Sequence, residues 1–161
     1  MEQDVYELFD KLGISYEVIT HPAIFKAADR EFIDIDFKDS VCCKNLLLKD
    51  EKNGDLFLVS LEIDKRANLK NIASELGTNR LTFAKEEDLI ENLGVKSGSA
   101  SILNIIAKPN TCVKFVVDKN LLKLEKIAFH PNVNTASISF SPLRLEEILK
   151  YYNANYIFID V

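Results

Sequence analysis

The residues of this chain with chemistry to offer fall where the apolar pattern breaks. His130 sits in FHPNVNTA, residues 129–136, between strand-like flanks that carry Ile127 and Phe129 on one side and Ile138 and Phe140 on the other. Proline fixes φ and removes a donor, and asparagine tolerates turn geometry and bonds its own backbone. Asn132, Asn134 and Thr135 therefore surround a histidine at a break that is either a plain turn or the rim of a site. Other polar groups stand at similar junctions. Lys44 and Asn45 enter the apolar run 46–48, with Lys49 beyond it. Asp64, Lys65 and Arg66 join a strand to a helix. Gly98 and Ser99 open the small-residue loop VKSGSAS. Functional side chains favour such junctions. Taken singly, Asp64 suits a helix N-cap and Gly98-Ser99 a turn.

Known catalytic machinery is absent by motif: there is no GxSxG, no Walker phosphate loop and no GxGxxG. His130 with Cys42 or Cys43 is allowed as a nucleophile pair by residue type and is not indicated by spacing. Three cysteines with His21 and His130 do not give metal-ligand spacing, so no metal and no cofactor are expected.

The elements that must position these residues follow from periodicity. Val5, Leu8, Phe9 and Leu12 mark a helix over 3–12 that stops at Gly13, and 15–21 alternates as a strand ending at His21-Pro22. Residues 27–30 look helical and 32–37 do not decide. Runs 41–50 and 56–61 around Asn53-Gly54 form a hairpin. Leu69, Ile72 and Leu76 face a helix closed by Gly77, and a further helix over 85–93 also closes on a glycine. Strands are expected over 102–106 and 112–117, a helical turn over 120–124, and two strands flanking the histidine segment. Ser141-Pro142 caps a last helix, and 156–161 is a strand. Hairpins mixed with helices predict a single domain of α+β (mixed α/β) class.

A chain of 161 residues can bury roughly 70% of its unfolded surface. Its 47% hydrophobic and 28% charged content is that of an ordinary globular protein. Met1 leads directly into Glu2, Gln3 and Asp4, and no apolar run approaches the ~20 residues of a membrane span. A cytoplasmic protein with reduced thiols and no membrane partner is expected. The net charge of −5 opposes broad nucleic-acid binding, DNA included, while Lys44, Lys49, Lys65, Arg66, Lys70 and Arg80 leave room for a local basic patch.

KNLLLKD (44–50), LEIDKRANLK (61–70), LGVKSGSAS (93–101) and FHPNVNTA (129–136) occur in this order and, with VYEL at 5–8 and HPAIF at 21–25, resemble the YbaK/ProX family of aminoacyl-tRNA editing domains across essentially the whole chain. The nearest branch is the alanyl-specific one called ProXp-ala or PrdX. The resemblance implies a mixed sheet curled around a small pocket and a hydrolase that removes a wrong amino acid from tRNA(Pro), alanine above all. By the same resemblance Lys44 holds the terminal adenosine, with Asn45 and Lys49 gripping the acceptor end. Asp64 and Lys65 match a GDK-like turn, and Gly98-Ser99 the loop facing the oxyanion. His130 lines the pocket with Asn132, Asn134 and Thr135 in support. No general base emerges, so substrate-assisted hydrolysis is implied. The partners implied are the tRNA(Pro) acceptor end and a prolyl-tRNA synthetase or elongation factor that delivers it. Three departures stand out. Ile63 replaces a glycine before Asp64-Lys65. Residues 102–108 read Ile-Leu-Asn-Ile-Ile-Ala-Lys where Pro-Phe-Gly-Leu-Ile-Asn-Asp is typical. Lys26 replaces a small hydroxyl residue. Alternatives are a deacylase of cysteinyl- or another small aminoacyl-tRNA, a non-catalytic tRNA or synthetase accessory protein, and a thiol sensor built on Cys42 and Cys43.

Overall fold

Alternating and helical apolar patterns become a mixed sheet with helices on both faces in the computed structural model, which describes residues 2–24, 39–96 and 98–161. The expectations for 27–30 and 32–37, and the departure at Lys26, lie outside the described residues. Helix α1 (Glu2–Leu12) buries Val5, Leu8 and Phe9, the i, i+3, i+4 stripe of a helix lying on a core. Strand β1 (Tyr16–Thr20) follows. The expected hairpin is β2 (Ser40–Asp50) with β3 (Leu56–Glu62). Helix α2 (Leu69–Leu76) closes on Gly77, but its N-cap is Asn68, whose side chain accepts from Asn71 N. Asp64 therefore does not cap it: it stands exposed in the turn before the helix.

Strand β4 (Leu81–Phe83) was not expected; three residues are too few to show alternation. Helix α3 (Glu86–Leu93) closes on Gly94. The strand expected over 102–106 is corrected to a short helix, α4 (Asn104–Ala107). An unbroken apolar run does not distinguish a buried strand from a buried helical turn. Here Ser101 Oγ accepts from Leu103 N and Asn104 Oδ1 accepts from Ser101 N, a reciprocal cap that starts a helix. Strand β5 (Lys114–Asp118) leads into a 3-10 turn (Lys119–Lys123). Strands β6 (Lys126–Phe129) and β7 (Ala136–Phe140) flank the histidine segment. Ser141 caps a 3-10 turn (Pro142–Arg144) that runs into α5 (Leu145–Tyr151), and β8 (Tyr156–Ile159) ends the sheet.

The strand order is β1-β7-β6-β2-β3-β5-β8, with β4 added on β2. Pairings β1–β7, β6–β7, β2–β3 and β2–β4 are antiparallel; β2–β6, β3–β5 and β5–β8 are parallel. One face carries the main core, where Phe9, Leu58, Phe115, Phe129 and Phe140 meet α1, α3, α4 and α5. The other face is covered by Ile72 and Ala73 of α2 over Leu48, Val59, Leu61 and Val116. Beside that patch lies a small cluster of Cys42 and Ala128 against Ile19 and Ile63.

Strand β2 is where the sheet forks. β3 follows one of its edges from Cys43 to Lys49. On the other edge β6 pairs with Ser40–Cys42 and β4 with Leu48–Asp50. The intervening residues, with Lys44 and Asn45 among them, have no strand beside them on that edge among the described residues.

Candidate active site

Side chains alternate across a strand, and this sorts the candidates on β2. Cys42, Lys44, Leu46 and Leu48 share the α2 face, whereas Cys43, Asn45, Leu47 and Lys49 share the main-core face. Lys44 is half-buried, and no described residue gives its ammonium a hydrogen bond or an ion pair. Asn45 is engaged on the other face, where Ser60 Oγ donates to its Oδ1 at 2.6 Å. Lys49 also lies there, with its Nζ 3.3 Å from Asp88 Oδ1 on α3. The structure thus separates Asn45 and Lys49 from Lys44.

Ile24, Cys42, Cys43, Ile63, Ala128, Phe129, His130 and Ser137 line a cavity of about 30 Å³, most of them on the face of Lys44. That is room for about two water-sized or methyl-sized groups. Ile63, which stands where the resemblance implies glycine, forms part of its wall. His130 Nδ1 lies 2.9 Å from the Ala136 carbonyl oxygen, and its ring centroid is 5.8 Å from that of His21. Burial holds the His130 imidazole below its ordinary value; the bond to Ala136 opposes this and the nearby His21 adds to it. His21 is buried, with Nδ1 2.8 Å from the Pro22 carbonyl oxygen and Nε2 2.9 Å from Ser137 Oγ. Main-chain bonds hold the two segments together: His21 N donates to Thr135 O at 2.9 Å and Ile24 N to Asn134 O at 3.0 Å. Asn134 and Thr135 thus act on the pocket through their backbone.

The segment after His130 and the Gly98–Ser99 loop meet through a residue that sequence reasoning did not select. Asn104 is fully buried. Its Nδ2 donates to Ser99 O at 3.2 Å and to Asn132 Oδ1 at 2.8 Å, and its Oδ1 accepts from Ser101 N at 2.7 Å. Gly98 has φ +88 and Asn132 φ +63, left-handed values that glycine adopts freely and asparagine tolerates. Asn132 Nδ2 is the one buried side-chain polar atom among the described residues without a partner. Ser99 N–H is spent on Lys96 O within the turn.

Asp64 and Lys65 follow directly from the cavity wall at Ile63. Lys65 Nζ lies 2.7 Å from Asp118 Oδ2, and Asp118 is buried and also caps the 3-10 turn through Asn120 N. The cysteines are free. Burial, with Cys42 next to it, pushes the Cys43 thiol far up, which keeps it protonated and disfavours a thiolate sensor. The described residues contain no group of three or more His, Cys, Asp or Glu placed to hold a metal. No described helix is long and apolar enough to cross a membrane.

His21, Ser137 and Asn104 were legible only in part. Ser137 and Ser139 alternate with Ile138 and Phe140, so a polar face was visible there; Asn104 lay hidden in an apolar run.

Comparison with known proteins adds to this geometry. A family model described as an aminoacyl-tRNA editing domain matches residues 21–148. The prolyl-tRNA editing protein ProX of Acetoanaerobium sticklandii is 34% identical over 149 residues, 92% of this chain and 90% of its own. Prolyl-tRNA synthetase associated domain-containing protein 1 of Mus musculus is 35% identical over 143 residues, 84% of this chain and 83% of its own. A crystal structure of a candidate trans-editing enzyme for prolyl tRNA synthetase shares the fold, with a TM-score of 0.66 at 20% identity over 99% of this chain and 96% of that one. The chain belongs to the aminoacyl-tRNA editing domain family, of the YbaK/ProX type.

Proposed function

We propose that the chain hydrolyses the aminoacyl ester of mischarged tRNA(Pro) in trans, with alanyl-tRNA(Pro) the favoured substrate. The observation that carries this is the pairing of a cation with a small cavity on one sheet face. The half-buried Lys44 stands two residues along β2 from Cys42 in the cavity wall, roughly 7 Å between their Cα atoms at strand spacing. A terminal adenosine presents a phosphate and, one sugar away, an ester carrying the amino acid. With the phosphate or ribose on Lys44 and the side chain in the cavity, the ester spans the gap between them.

Size supports alanine over proline. A synthetic site built for proline rejects a smaller amino acid only weakly, since a lost methylene changes binding by ~1–3 kcal/mol. A second pocket of about 30 Å³ takes a methyl group and excludes a pyrrolidine ring. In the reaction, water adds to the ester carbonyl and the bond to the ribose oxygen breaks. That oxygen leaves with a proton, and free amino acid and tRNA are the products. With His130 held neutral and no described carboxylate lining the cavity, the proton is taken by the substrate's own hydroxyl. With Ser99 N–H and Ser101 N–H occupied, the N–H groups of Gly98 and Ala100 are, among the described residues, the loop donors that could meet the oxyanion. Arg66, Lys70 and Arg80 are exposed and serve the acceptor stem, while a synthetase or elongation factor supplies most of the tRNA affinity.

The test is a deacylation panel on tRNA(Pro) charged with alanine, cysteine, serine or proline, using wild type, Lys44→Ala and His130→Ala. Alanyl-tRNA(Pro) is hydrolysed fastest and prolyl-tRNA(Pro) is spared. Lys44→Ala lowers kcat/KM on the order of 100-fold, the scale of losing one charge-stabilising contact. Wild-type rates from Lys44→Ala overturn the assignment of that residue, and no hydrolysis of any substrate overturns the function.

A further inference from the structure

The two histidines of this chain carry the same hydrogen-bond polarity, and together with one serine they fix what the cavity can recognise. A backbone carbonyl oxygen only accepts. His21 Nδ1, 2.8 Å from Pro22 O, must therefore carry the proton, and so must His130 Nδ1, 2.9 Å from Ala136 O. Where a ring carries a single proton, its Nε2 is then an acceptor. The 2.9 Å contact between His21 Nε2 and Ser137 Oγ follows with a single polarity: the serine hydroxyl donates to the imidazole. Ser137 has one proton and has spent it, so its oxygen turns only lone pairs towards anything else. Ser137 and His130 both line the cavity. The polar lining offered by these side chains is thus two acceptors, Ser137 Oγ and His130 Nε2, with the weak donor of the Cys42 thiol beside them and the Cys43 thiol turned to the Val41 carbonyl oxygen. No described carboxylate or cation lines the same space.

We propose that Ser137 and His130 form a recognition site for the free α-ammonium group of the amino acid carried by the substrate, with His21 as the positioning residue that orients the Ser137 hydroxyl. This rests on the chain being a hydrolase of aminoacyl esters and adds a rule to it: the amino group must be unblocked. An ammonium brings three donors and no acceptor, the complement of this lining. An N-acylated amino acid brings one donor, an added carbonyl acceptor and a bulk that the cavity has no room for. His21 contacts no substrate. Its role is to consume the serine proton, without which the hydroxyl would rotate and present a donor to the ammonium.

The experiment reads binding without turnover. The probes are adenosine carrying alanine through a non-hydrolysable 3′-amide and the same compound N-acetylated on the alanine. Each is titrated into the full-length wild type, Ser137→Ala and Ser137→Thr. The wild type binds the free-amine probe at least about tenfold more tightly, the scale of one well-placed hydrogen bond to a charged donor. Ser137→Ala loses most of that preference while its affinity for the acetylated probe stays unchanged, and Ser137→Thr, which keeps the hydroxyl, retains the preference. Long-range proton–nitrogen spectra of the wild type show both histidines as Nδ1–H tautomers. Equal wild-type affinity for the two probes overturns the proposal. So does an equal loss of both affinities in Ser137→Ala, or an Nε2–H tautomer at either ring. Absence of ester hydrolysis would overturn the proposed function and leave this binding result standing.

Discussion

At the scale of single residues, Lys44 and His130 differ in how their surroundings treat charge. Lys44 is half-buried without an ion pair among the described residues, which suits the anionic group proposed for it. His130 is kept neutral by burial. Because its folded pKa lies below the ordinary value of 6.5, the unfolded chain binds more protons between those two values. The stability it contributes is complete above about pH 6.5 and is lost as pH falls through the folded value. Thermal denaturation between pH 7.5 and 5 shows this loss in the wild type, and His130→Asn flattens that part of the profile. Asp50 acts in a lower window. Burial would raise its carboxyl, but bonds from Thr78 and from the backbone N–H groups of Lys52, Asn53 and Asn79 outweigh it and hold it well down. Its contribution is therefore present above about pH 3.8 and fades below. The types of these residues were plain in the sequence, and their protonation was not, because burial and partners are set by strands far apart in the chain. Ile63 gives a steric counterpart. Ile63→Ala widens the cavity, and the ratio of prolyl- to alanyl-tRNA(Pro) hydrolysis rises by about tenfold, a methylene-scale change in a sieve.

At the scale of elements, the hairpin, the helices closed by Gly77 and Gly94 and the strands around His130 were legible because period and punctuation agree there. Residues 102–106 were not. Their apolar run fits either period, and the deciding feature is the reciprocal bonding of Ser101 and Asn104 with a loop almost thirty positions on. Asn104→Ala removes three hydrogen bonds and leaves Asn132 Oδ1 unpaired in a buried place. A loss of about 2–3 kcal/mol follows, seen as a fall in Tm of several degrees for a chain of this size. Asn104→Asp does not rescue it, since the two donated bonds come from Nδ2. Lys65 belongs to the same class of finding. The resemblance matches it to a GDK-like turn, and the structure pairs it with the buried Asp118. Lys65→Met strands that carboxylate and lowers Tm, and Lys65→Met combined with Asp118→Asn recovers part of the loss, a coupling readable in a double-mutant cycle.

At the scale of the whole molecule, a chain of net charge −5 meets a polyanion. The balance is workable only if contact is local, at the fork in the sheet and along the exposed basic residues near α2. A single-stranded acceptor end held by one or two cations gives a shallow dependence on salt, with log K falling by roughly 0.7 to 1.4 per tenfold rise in salt concentration. Filter binding or fluorescence titration from low to moderate salt measures that slope, and a value several-fold steeper would point to an extended phosphate track instead. The resemblance legible in four separated segments and the matched family model agree on the kind of molecule. In the proposed reading the cargo depends on a cavity whose walls come from β2, β6, β7 and the Ile63 turn together, and no local stretch encodes that. The most direct test is the ratio of wild-type kcat/KM for alanyl-tRNA(Pro) to that for prolyl-tRNA(Pro), measured on the full chain. The proposed reading predicts a ratio on the order of 100 in favour of alanine, near the usual limit of a size-based sieve. A ratio near one would contradict it.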